Sequence, residues 1–179
     1  METLYIILIA MLFILAIFDL IVGVSNDAVN FLNSAVGSRA FNFKWLLALA
    51  SVGIFIGATF SNGMMDITRH GIFQPEHYYF TEIITILIAV MLTDVVLLDR
   101  FNSLGMPTST TVSLVFELLG ASVAIAALKI YKSSGEFSFG QLLNTDKALS
   151  VILGIFLSVA IAFSIGYLVQ YISRLVFSF

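Results

Sequence analysis

The stretch from Leu4 to Val24, LYIILIAMLFILAIFDLIVGV, carries Asp19 as its only charged residue. About 20 apolar residues, coiled as a helix, cross the roughly 30 Å hydrocarbon layer of a bilayer. This run meets that requirement, so lipid is its natural solvent. No Lys or Arg precedes it and Glu2 is the only earlier charge. A cleavable signal needs a basic leader and a small-residue cleavage site, so the run is expected to be a retained span. Beyond it, Ser25-Asn26-Asp27 interrupts the apolar pattern, which resumes over Ala28–Gly37. Further apolar stretches follow at Trp45–Met65, Glu82–Leu98, Thr108–Leu128 (opened by Pro107) and Ala148–Phe177. The expected fold is an all-α, polytopic transmembrane helix bundle, one domain over residues 1–179. Its first helix is expected to be broken near Gly23. The fourth is expected to be re-entrant or started by Pro107, because Pro suits the first helical position and cannot continue a preceding helix.

Composition agrees. Hydrophobic residues make up 60% of the 179 positions and charged residues 11%, with mean hydropathy +1.06; a soluble domain averages about 45–50% and about 25%. The net charge of −3 contains no basic run, which argues against nucleic acid as a partner. With no cysteine, disulfides and thiolate metal sites are excluded. The joints Ser38–Lys44, Asp66–Thr81, Asp99–Met106 and Lys129–Lys147 are too short for an extramembrane domain. They hold no G-x-S-x-G elbow or paired catalytic carboxylates, so an enzyme is not expected. His70 and His77 lack the companions of a metal site. If every stretch crosses once, Arg69, Lys129, Lys132 and Lys147 fall on one side, and Arg39, Lys44, Arg100 and Arg174 on the other. The positive-inside rule then selects no orientation. Tyr5, Trp45, Tyr78, Tyr79 and Tyr167 are candidates for interfacial aromatic belts.

Polar groups within spans are costly and usually mark sites or pathways. Asn26, Asn30, Asn33 and Gly37 fall at i, i+4, i+7 and i+11 on one helical stripe, and Asp19, Gly23 and Asp27 continue it upstream. A break at Gly23 would expose backbone carbonyls, which with Asp27 and the Asn amides form an oxygen-rich cation site of the kind broken membrane helices provide. The competing reading is a polar seam joining helices through Asn amides. The second constellation is Gly105-Met106-Pro107-Thr108-Ser109-Thr110-Thr111. Hydroxyls at a helix's opening turn, with unpaired N–H groups and the positive dipole end, make an anion site. Simple N-capping by one hydroxyl is the alternative.

Ser109, Ser113 and Glu117 share a face, and Glu117 reads as a proton carrier, a cation ligand or a structural partner. Asn62, Asp66 and Arg69 read as a surface ion-pair group. Asp94, Asp99 and Arg100 are expected at the interface, with Asp94 the outside candidate for function.

Together the motifs Asn26-Asp27-Ala28-Val29-Asn30, Val36-Gly37-Ser38 and Gly105-x-Pro107-x-Ser109-Thr110-Thr111 resemble the inorganic phosphate transporter family. The stretch from Asn62 ending Arg69-His70-Gly71-Ile72 is also similar. The resemblance covers about residues 15–125 of the chain. It departs at Val112, where many members have His, and at Glu117, where small residues are common. It implies a symporter moving inorganic phosphate with Na⁺ or H⁺, with no organic cofactor. Asn26, Asn30, Ser109, Thr110 and Thr111 would be substrate-binding, and Asp27, Asn26, Asn30 and Glu117 cation-coupling. The family contains two inverted repeats, each with both motifs, whereas this chain has one copy of each. The expected partners are therefore phosphate, the lipid bilayer (an inner cell membrane) and a second repeat, in the same longer chain or an antiparallel copy. A carrier of sulfate or arsenate, or a non-transporting membrane scaffold, are the alternatives.

Overall fold

The computed structural model describes residues 2–39, 41–61, 71–106, 108–133 and 136–177. The long helices are α1 (Glu2–Gly37), α2 (Phe43–Phe60), α3 (Phe80–Ser103), α4 (Thr110–Lys132) and α6 (Thr145–Phe177), with the short α5 (Phe139–Leu142) before α6. A 3₁₀ turn spans Pro75–His77. Each of the five long helices has the length and apolarity to cross a membrane, so the chain is an all-α, multi-pass membrane protein. In lipid, only internally hydrogen-bonded elements can span. Mid-helix hydroxyls obey the same rule: Ser51, Thr59, Ser150 and Ser164 each donate to the carbonyl four residues back.

The expected break in the first helix is not present. α1 runs continuously through Gly23 and Asn26. Two local facts remove the reason for a break. The Ser25 hydroxyl donates to Ile21 O at 2.7 Å, so this polar residue is satisfied within the helix. The Asn26 amide bonds to a neighbouring segment. The fourth stretch also differs from expectation: its helix begins at Thr110, with Ser109 as N-cap accepting from Val112 N at 3.4 Å. Pro107 lies before the helix and outside the described residues. At 23 residues and 1.5 Å rise, α4 is about 35 Å long, enough to cross the hydrocarbon layer. The Asn62–Asp66–Arg69 group and His70 also lie outside the described residues.

α1 packs chiefly on α3, and α3 on α4. The core lies between α3, α4 and two loops, where Ile72, Phe73, Tyr78, Ile86, Val90, Val115, Leu118, Ala126, Leu142 and Leu143 are buried. The loops are tied by Gln74 N to Leu142 O (3.0 Å) and Asn144 N to Ile72 O (2.9 Å). Tyr78, expected in an aromatic belt, is instead inside this core at 8% exposure. Its hydroxyl donates to Leu142 O. Burial, followed by the nearby Glu82 carboxylate, pushes the phenol up to about 12, which keeps that donor proton in place. Lys129 fastens the same end: it bridges to Glu82 at 2.7 Å, donates to His77 O, and sits 4.7 Å from the Tyr79 ring centre. By contrast, α2 and most of α6 present apolar side chains outward, from Trp45 to Phe60 and from Leu153 to Phe177.

At its far end α3 closes with Met106 N bonded to Phe101 O (3.0 Å) and Gly105 N to Asn102 O (3.1 Å). This is the two-bond reversal that ends many helices, and it requires a left-handed residue after the cap. Gly105 supplies it at φ +67°. The turn throws the chain back toward α1, where the polar residues meet.

Candidate functional site

Thr108 is where the two motifs join. Its N–H donates to Asn26 Oδ1 at 3.0 Å, while Asn26 Nδ2 donates to its carbonyl. Asn26 thus pairs with the backbone N–H and C=O of a single residue through both ends of its amide, and is fully buried. Asn30, one turn on, adds a second donor to the same carbonyl at 2.9 Å. From α3, Asn102 Nδ2 donates to Val22 O at 3.3 Å. The segment entering α4 is therefore held against the middle of α1 by side-chain amides.

This pinning sets Thr110, the first residue of α4, opposite Asp27. Thr110 Oγ1 donates to the carboxylate, 3.2 Å from Oδ1 and 3.5 Å from Oδ2. The Thr110 methyl lies 3.8 Å from a Cβ built on Gly23, so Gly23 gives α4 room to approach rather than breaking α1.

Two clefts open here and share Asp27, Thr110 and Thr111. One of 420 Å³ is also lined by Asn30, Phe31, Thr108 and Ser109. The other, of 310 Å³, is lined also by Asp19, Leu20, Gly23, Val24, Asp94 and Leu114. Of the residues singled out in the sequence, Asp27, Asn30, Ser109, Thr110 and Thr111 come together at one cleft. Asn26 lines neither and is the pin beneath them. Glu117 also lines neither, and its Oε1 accepts from the Ser113 hydroxyl at 2.8 Å. Asn33 is exposed one turn further along.

Sequence reasoning undervalued Asp94. Placed at the interface, it is in fact 4% exposed, because α3 continues past it to Ser103. The missed signal is periodic: Ile86, Val90, Asp94 and Leu98 recur every four residues, and all are buried. An acid on a strictly apolar stripe faces protein, not water.

A multi-pass helical bundle with a carboxylate and a hydroxylated helix start meeting inside it is built like a membrane carrier. The chain belongs to the phosphate transporter family, whose model matches residues 23–178. Among relatives, "Putative phosphate permease" of Thermococcus kodakarensis is 29% identical over 147 residues, covering 81% of this chain and 33% of that protein. The "Sodium-dependent phosphate transporter" of Toxoplasma gondii is 34% identical over 113 residues, covering 60% of this chain and 13% of its own length. The chain thus spans about a third of the length of the Thermococcus relative. No solved structure matches it significantly. The family is one of transporters rather than enzymes.

Proposed function

We propose that the chain is one membrane domain, residues 1–179, of a symporter that moves inorganic phosphate with a cation, Na⁺ or H⁺, across a cell's inner membrane. The observation that carries this reading is the Asp27–Thr110 contact at the start of α4. The first N–H groups of a helix have no acceptor one turn back and, with the dipole, attract an anion. In this structure the anion beside them is Asp27 itself. A phosphate approaching Thr110 and Thr111 meets that negative charge and is repelled. A cation on Asp27, with Asn30 as a further oxygen ligand, cancels the repulsion and lets phosphate settle on Ser109, Thr110 and Thr111. Coupling then follows from electrostatics: each ion favours the other, and neither binds well alone. Asn26 serves both by holding Thr108 in place, and Glu117 supplies a further carboxyl below. The Toxoplasma relative's name, with its sodium dependence, supports Na⁺ as the cation.

Carriers built from repeats bind substrate at the interface between them. The site opens at the two clefts, and relatives are longer. A second repeat, in a longer chain or as an antiparallel copy, completes the site in this proposal.

The test is thermal stabilisation of the purified chain in lipid nanodiscs, with uptake of labelled phosphate in proteoliposomes. Phosphate is expected to stabilise the chain more with Na⁺ or at acid pH than without, and uptake is expected to follow the cation gradient. Stronger competition by sulfate than by phosphate would make it a carrier of another oxyanion. No anion-dependent stabilisation under any cation would leave a membrane scaffold.

A further inference from the structure

Behind the Asp27 cleft lie three carboxyl groups from three helices: Asp19 of α1, Asp94 of α3 and Glu117 of α4. Asp94 is near enough to Asp19 and Glu117 to interact with both electrostatically. Asp94 is 96% buried by its 4% exposure and lines the 310 Å³ cleft beside Asp19 and Asp27. Its Oδ1 and the Oε2 of Glu117 are buried with no hydrogen-bond donor facing them. The phosphate site does not use these oxygens.

Among the described residues, no basic side chain balances this charge. Among the described residues, none of the three carboxyls forms a salt bridge. On α4, Lys129 is committed to Glu82 and lies 12 positions beyond Glu117, roughly 18 Å along the helix. On α3, Arg100 sits in an apolar groove with Leu92, Val96, Leu97, Phe101 and Leu104. The other acid facing the cleft, Asp27 of α1, adds negative charge. Acidic side chains are costly at membrane depth and usually mark a site or a pathway.

We propose that Asp19, Asp94 and Glu117 form a proton-holding site inside the bundle, joined through the cleft to Asp27 and separate from the helix start that would take phosphate. An ionised carboxyl can only accept, so a buried carboxyl oxygen that no other donor faces is satisfied when a neighbouring carboxyl carries a proton. That geometry asks for O–H groups. Among the described residues no set of three or more acidic or histidine groups converges as metal ligands, so a bound metal ion is the poorer occupant. A proton taken up converts one carboxylate to the acid, which donates to its neighbour. Its release, through Asp19 at the cleft wall, returns the proton to water beside Asp27. The Ser113 hydroxyl, donating to Glu117 Oε1, leaves Oε2 as the atom that exchanges. The site's meaning for transport rests on the symport reading above, but its existence does not.

The experiment is infrared spectroscopy of the intact chain in lipid, at neutral pH, without sodium or phosphate. The carbonyl stretch of a protonated carboxylic acid is expected in the wild type, shifting in D₂O. Asp94→Asn is expected to remove most of it, and Glu117→Gln part of it. Helical circular dichroism of each variant establishes that it is folded. Absence of the band in the wild type at neutral pH overturns the proposal. So does a band unchanged in both variants, or one discharged by adding sodium at fixed pH, which would give the site to that ion. The measurement needs neither phosphate nor transport. A failed phosphate reading therefore leaves it intact, and its own failure leaves phosphate stabilisation untouched.

Discussion

Asp27→Asn is expected to abolish cation-dependent phosphate uptake while membrane insertion and helical content stay as in the wild type. The side chain is isosteric and Asn can still accept from Thr110, so the contact that positions α4 survives. What disappears is the negative charge. A charged hydrogen-bonding partner is worth about 1.5–3 kcal/mol, and every 1.4 kcal/mol is about tenfold in affinity. Cation affinity is therefore expected to fall by roughly ten- to a hundredfold or more. Residual phosphate binding should lose its dependence on the cation, because Asp27 no longer repels the anion from the α4 start. Uptake assays and phosphate titrations at several sodium concentrations read both effects. Normal, cation-dependent uptake by this variant would remove Asp27 from the mechanism.

Asn26→Leu is expected to cause the largest loss of stability. The substitution keeps the branched shape of the side chain but removes both hydrogen bonds to the Thr108 backbone. The Thr108 carbonyl keeps Asn30, whereas its N–H, part-buried against α1, is left without an acceptor. An unsatisfied buried group costs about 1–3 kcal/mol, and the lost second bond adds about 1 kcal/mol. A fall of about 2–4 kcal/mol is expected in denaturation of the chain in detergent, together with lost phosphate stabilisation. Asn30→Ala, which removes one of two donors to an otherwise satisfied carbonyl, is expected to cost under about 1.5 kcal/mol. Equal effects of the two substitutions would mean that Asn26 is not the pin.

Much of this arrangement is legible in the residues. Five apolar runs of spanning length fix the bundle, and the pairing of an Asn-Asp-x-x-Asn stripe with a hydroxyl run marks the two halves of the site. The stripe's division of labour is not legible. Asn26 and Asn30 look equivalent at i and i+4, and only packing against Thr108 buries one and leaves the other exposed at the cleft. The polar triplet Ser25-Asn26-Asp27 reads as a helix break because sequence cannot show that Ser25 bonds back to Ile21, nor that partners for Asn26 and Asp27 arrive from residues 82 and 83 positions away. Ser109 reads as an anion ligand, and its hydroxyl also accepts as the cap of α4, while Thr110 reaches Asp27. Hydropathy alone puts Asp94 near the end of a span that stops at Leu98, while the helix itself ends at Ser103.

The account rests on Asp27 and the first residue of α4 sharing one site within the bilayer. The chain has no cysteine, so a double variant, Asp27→Cys with Thr110→Cys, tests that contact without background. In native membranes, mild oxidation or a short thiol cross-linker is expected to join the two positions in most molecules. Mass spectrometry would find the 27–110 peptide pair, and Asp27→Cys with Leu168→Cys would give no product. Failure of the 27–110 pair to cross-link, with both thiols shown to be reactive, would contradict the site.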